Sequence, residues 1–185
     1  MQTDFRHVLR SETRVQHDRL DHLISAIDIA ELPGFRLFAQ LHWQCFAVMQ
    51  SRQGDPSRSR ETLQAMLDGL RHDLTVINAE PGRLDAALSP RIDPLAIDYM
   101  VAGSRLGTKV LKKSWARSTD ARVNAAQGYF GQEYDADLWR DTCLALSYVP
   151  VDSLRARAIV DDTRALFHLF EAAFHGLRTD EDALA

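Results

Sequence analysis

Apolar residues along this chain recur in steps of three and four, the period of an α-helix with one buried face. The first run covers 4–27, and its stripe reads Phe5, Leu9, Thr13, His17, Leu20, Ile24 and Ile27. Pro33-Gly34 closes it. A second helix is predicted over 34–51 on Phe35, Phe38, Leu41, Phe46 and Met49, widened by Trp43 and Cys45. A third covers 59–78, with Leu63, Met66, Leu67, Leu70, Leu74 and Ile77 on one face. Residues 84–91 read as a short helix or a loop. Asp93-Pro94 then gives an N-cap and a first helical position, and that helix runs to Trp115 with Gly103 and Gly107 inside it. A weakly patterned helix over 119–130 is followed by a loop at 131–134. Another helix covers 136–148, on Leu138, Trp139, Cys143, Leu144 and Leu146. The last covers 153–178, on Phe167, Phe170, Phe174 and Leu177, and the acidic tail 179–185 is expected to fray. No stretch alternates with period two long enough to predict a strand. The pattern therefore predicts an all-α fold: one domain over 1–185, several amphipathic helices around one core.

Composition narrows the class of partner. The chain has 185 residues, 45% of them hydrophobic, a length and make-up that allow a sizeable single core. Its net charge of −4, with basic residues spread along helices, argues against a nucleic-acid binder. No run approaches the roughly 20 apolar residues of a membrane span. Cys45 and Cys143 sit in separate apolar stretches without disulfide or zinc spacing, as small hydrophobes do in a reducing compartment. The polar start Met1-Gln2-Thr3-Asp4 does not read as a leader, so a cytoplasmic location is expected.

Candidate chemistry begins at His17, which takes a stripe position that a leucine would ordinarily hold. Arg10 and Arg14 precede it by seven and three residues and share its side of the helix. Such an imidazole is either a hydrogen-bonded core or boundary residue, or a ligand to a metal carried by a negatively charged molecule. The second feature is Gly103-Ser104-Arg105-Leu106-Gly107-Thr108. Each glycine inside a helix costs about 1 kcal/mol relative to alanine, so two need an offsetting use. Close helix packing or a C-cap at Gly107 is one; a backbone groove against a flat ligand is the other. Together, the two features describe the walls of a slot, with a metal ligand on one side and low relief on the other. Haem suits such a slot, since neutral imidazole binds iron and open backbone opposite leaves room for a sixth ligand.

These residues resemble the haem oxygenases, especially the bacterial members. Leu9-Arg10 through Asp21 is similar to that family's first helix, where a Thr precedes the iron-ligating His and Leu-Asp follows it. Tyr99-Met100-Val101-Ala102-Gly103-Ser104-Arg105-Leu106-Gly107 resembles the distal helix, and Leu138-Trp139-Arg140 and Arg164 to Glu171 resemble later ones. The resemblance implies a haem-oxygenase-like bundle with the ligand slot between the first helix and the glycine-containing distal helix. It implies His17 as proximal ligand to the haem iron, Gly103 and Gly107 against the distal face, and Arg10 and Arg14 near the haem propionates. It implies oxidative opening of the ring to biliverdin, carbon monoxide and iron, using dioxygen and an electron donor of ferredoxin or flavodoxin type. A biliverdin-using phytochrome is a partner by the same analogy. The departures are Ser104, where many relatives carry Asp, and Thr108, where they often carry a second Gly. Thr108 either fills part of the groove or donates to a distal water; with Gly103, Ser104 and Gly107 it makes up the expected catalytic set.

Two further readings stand beside this one. A haem carrier or sensor of the same fold would bind without turnover. Other families on this architecture bind quinone precursors, thiamin fragments or two metal ions, and Glu171/His175 and Asp18/His22 have the four-residue spacing of helical metal ligands. His168 is placed beside the aromatic stripe of the last helix.

Overall fold

The computed structural model describes residues 4–85, 88–133 and 137–184. Among these it contains helices and no strand: α1 (Phe5–Glu12), α2 (Arg14–Ser25), α3 (Leu32–Arg52), α4 (Arg60–Val76), α5 (Pro94–Trp115), α6 (Ala121–Ala125), α7 (Leu138–Ser147) and α8 (Leu154–Leu184). The protein is an all-α bundle, and none of these helices is long and apolar enough to cross a membrane. α8 is the spine: α1, α2, α3 and α5 all lie against it, α4 packs on α3, and α7 packs on α5. The core runs along that spine, with Phe38, Leu41, Cys45, Phe46, Leu63, Leu70, Val101, Ile159 and Leu166 all buried.

Three elements depart from the expected pattern, each for a local reason. The single helix expected over 4–27 is broken at Thr13 (φ −107°, ψ 3°). The buried Thr13 hydroxyl donates to the Leu9 carbonyl at 2.8 Å, a back-bond that bends helices. Arg164 on α8 takes up the freed Glu12 carbonyl, with nitrogens at 3.1 and 2.9 Å. The helix expected over 119–130 stops at Ala125, because buried Asp73 on α4 captures the amides of Gly128 (2.6 Å) and Tyr129 (2.8 Å). The backbone there bonds across the bundle instead of along itself. The tail expected to fray from 179 is helical through Leu184; no glycine or proline follows Gly176, so nothing stops the backbone ladder. The 84–91 segment is irregular where described, with residues 86–87 outside the described set, as are 134–136, which held the end of one expected loop and the start of the next helix.

The start of α5 follows the sequence closely. Asp93 accepts from the Leu95 amide at 2.9 Å, and Arg155 clamps the same carboxylate from α8. One turn on, fully buried Asp98 accepts from the Ser57 and Ser59 hydroxyls and the Arg58 and Ser59 amides. That carboxylate satisfies donors at the N-terminus of α4, which has no side-chain cap of its own.

Candidate functional site

The pivot of the site is the Thr13 break. Tyr99, on α5, has its hydroxyl beside the Thr13 side chain, with Arg6 and Arg10 near enough to act on it electrostatically. Burial raises the Tyr99 pKa above its usual value, and the two guanidiniums partly oppose that rise. Beyond this contact α2 and α5 both lean on α8 but do not pack extensively on each other.

Contacts along α8 fix the relative level of the two helices. Glu12 meets Arg164, and the His17 ring meets Phe167 edge-on with centroids 5.9 Å apart, so α2 runs parallel to α8. Asp93 meets Arg155 and Asp162. Farther along α5, Arg105 acts electrostatically on His42, whose ring meets Phe170 edge-on with centroids 5.7 Å apart. α5 therefore also runs in the direction of α8, with Arg105 acting on the His42 that packs on Phe170, while His17 of α2 meets Phe167.

His17 itself is half-exposed, with 51% of its side chain accessible, and not tucked into the core as its stripe position predicts. α2 has no fully buried side chain, and Leu20, Leu23 and Ile24 are only partly covered, because α8 is its main neighbour. The imidazole Nδ1 lies 3.4 Å from an Asp18 oxygen and 3.5 Å from an Asp21 oxygen. With Nδ1–H directed at these carboxylates, the lone pair sits on Nε2; this tautomer is assigned from the partners. A ligating histidine whose other nitrogen donates to a carboxylate is the usual arrangement of a metal-bound imidazole. Sequence reading overlooked Asp21 in this role, although its four-residue step from His17 was the available signal.

On α5 the two glycines differ. A Cβ on Gly103 would meet Trp139 of α7 at 3.9 Å, ordinary contact, whereas one on Gly107 would meet nothing within 4 Å. Neither glycine is a site of close helix packing. Ser104, half-buried, donates to the Val101 carbonyl at 2.8 Å. Thr108 is buried and donates to the Ser104 carbonyl at 3.0 Å. Thr108 therefore does not fill the face shared by the glycines, and both hydroxyls are engaged within their own helix. Arg10 is exposed near Tyr99; Arg14 is exposed and paired with Asp18 at 3.5 Å.

Behind α5 lies a buried polar centre that sequence reading did not single out. His42 is the one buried histidine of the seven; its Nδ1 contacts the Phe38 carbonyl at 2.8 Å. Phe38, Phe46, Tyr129 and Phe170 surround it. Arg105 lies over the Tyr129 ring at 4.9 Å. Burial lowers the His42 pKa to about 4 and the Arg105 pKa to about 10.

Glu171 pairs with His168 at 3.4 Å rather than with His175, and no group of three or more His, Cys, Asp or Glu gathers as a metal site among the described residues. His168 is exposed on the far side of its helix from Phe167 and Phe170. Compared with known proteins, the chain matches no family model, no curated protein and no solved structure.

Proposed function

We propose that this chain is a haem oxygenase that cleaves haem to biliverdin, carbon monoxide and iron. The observation that carries the reading is His17: its Nδ1 faces two carboxylates, which leaves Nε2 as the nitrogen for a metal, and α5 offers a face whose Gly107 opens on unfilled space. One imidazole with its second nitrogen held by carboxylate would suit a ligand to haem iron. Arg10 beside Tyr99 supplies positive charge for a propionate, with Arg14 one turn nearer His17. Asp18 competes for Arg14, so Arg10 is the stronger anchor.

Haem, when bound, would supply the iron for the chemistry of dioxygen. The protein's tasks are then to hold the ring by its edge, to keep bulk away from its distal face, and to place a proton donor there. Gly103 and Gly107 serve the second task. Ser104 is the candidate for the third, as the half-buried hydroxyl on the flank of the glycine face, and to serve it must leave the Val101 carbonyl. Thr108 gives its hydroxyl to the Ser104 carbonyl, fixing that turn from behind. Electrons would come from a ferredoxin- or flavodoxin-type system, and a biliverdin-using phytochrome would be a fitting recipient of product.

Titration with haemin should give a Soret complex, and reductant with oxygen should convert it to green product. Loss of the complex in His17→Ala supports the reading; a His17→Ala protein that binds and turns over haem like wild type overturns it. A carrier without turnover is the second reading, favoured by the engagement of both distal hydroxyls within α5. It predicts a complex that keeps its Soret band under ascorbate and oxygen.

A further inference from the structure

A cleft of about 320 Å³ lies between α1 and the first half of α8. Phe5, Val8 and Val160 line its apolar part, and Glu12, Arg157, Asp161 and Arg164 its charged rim. At about 100° per residue, Phe5, Val8 and Glu12 fall within about 60° of arc on α1, while Arg6 and Arg10 point to the opposite side. The cleft is therefore separate from the face of α1 that carries Arg10 and meets Tyr99. Its volume is about ten times that of a water molecule in the liquid, which is room for a short alkyl chain.

The four charges on the rim are unevenly matched. Arg164 is engaged: it takes the Glu12 carboxylate at 2.6 Å and the Glu12 carbonyl at 3.1 and 2.9 Å. Asp161 draws on the same guanidinium, at 3.7 Å. Arg157 stands one turn before Asp161 on the same face of α8, yet it makes no ion pair or side-chain hydrogen bond with another described residue. The unanswered charge beside the apolar walls is thus a single guanidinium, whose planar fork of donors matches a carboxylate. Glu12 and Asp161, sharing one arginine between them, repel a second negative charge from the rim.

We infer that this cleft binds a small aliphatic monocarboxylate, its chain on Phe5, Val8 and Val160 and its carboxylate on the Arg157 guanidinium. The apolar walls hold the chain by removing it from water, and the guanidinium fixes which end faces the rim. The inference stands apart from the proposed function: the cleft shares no residue with the slot assigned to haem.

Octanoate, titrated calorimetrically into the full chain, should bind saturably, and the amide shifts it causes in NMR spectra should centre on Phe5, Val8 and Val160. Absence of saturable binding, or shifts centred elsewhere, overturns the inference. Arg157→Gln should weaken octanoate about tenfold, the loss of one charge-assisted hydrogen bond, and leave octanol binding unchanged. The side chain is exposed, so helical circular dichroism should not move. Arg157→Lys should recover part of the affinity. A glutamine variant that binds octanoate as wild type does overturns the role of Arg157 and the inference with it. Two probes of the same chain length test the charge. Suberate, with a carboxylate at each end, and octylammonium should both bind more weakly than octanoate. Suberate binding as tightly as octanoate, or octylammonium binding more tightly, would show that the rim does not select one negative charge, and either result overturns the inference.

Discussion

Replacing His42 by phenylalanine isolates the electrostatic burden of the buried centre behind α5. The imidazole is held neutral: burial lowers its pKa from 6.5 to about 4, and the Arg105 charge adds to the effect. A folded-state value below the unfolded one means that the unfolded chain takes up the proton first. Stability is therefore complete above pH 6.5 and is lost as pH falls toward 4. A difference of about 2.5 pKa units corresponds to about 3 kcal/mol over the whole window, and about 2 kcal/mol is already lost at pH 5. Phenylalanine keeps the contacts with Phe38, Phe46, Tyr129 and Phe170 and removes the titration. Urea unfolding at pH 7, 6 and 5 should show wild type losing stability along this course and His42→Phe losing about 2 kcal/mol less between pH 7 and 5. Asp73 and Asp162, whose pKa values burial raises, work in the opposite direction at the acid end, so the comparison stops at pH 5. Parallel pH dependences for the two proteins would refute the claim that His42 is buried and neutral.

Other substitutions test the frame and the slot separately. Asp98→Ala strands the donors of Ser57, Arg58 and Ser59 and should cost about 3 kcal/mol in denaturant unfolding, a loss of under 1 kcal/mol counting against the bond network. Gly107→Ala meets no atom, so it should stabilise the ligand-free protein by about 0.5–1 kcal/mol while weakening haemin binding; both signs are required. Asp21→Asn, with Asp18→Asn, removes the carboxylates beside Nδ1 and should raise the reduction potential of bound haem and weaken the iron–histidine stretch seen by resonance Raman. An unchanged stretch would show that these carboxylates do not act on the ligand.

The hydrophobic period alone determined where most helices lie and that they form an all-α bundle, because a 3.6-residue stripe needs only local geometry and a face to bury. Asp93-Pro94 determined the start of α5 for the same reason: a cap and a fixed φ act within one turn. The sequence also singled out His17 and the Gly103–Gly107 pair as odd residues at helical positions. Only tertiary structure decided how they are used. Asp73, distant in sequence, ended α6 by taking the Gly128 and Tyr129 amides. The stripe at His17 turned outward because α2 rests chiefly on α8, and no periodicity counts a helix's neighbours. The placement of α1 and α2 along α8 came from contacts more than a hundred residues apart in sequence, Glu12 with Arg164 and His17 with Phe167. Thr108 was turned away from the open face by the phase of its helix against the bundle, while Leu106 and Val110, unremarkable in the sequence, were left exposed. Periodicity fixes what a residue is relative to its own helix; which side of that helix remains open is set by how the other helices pack.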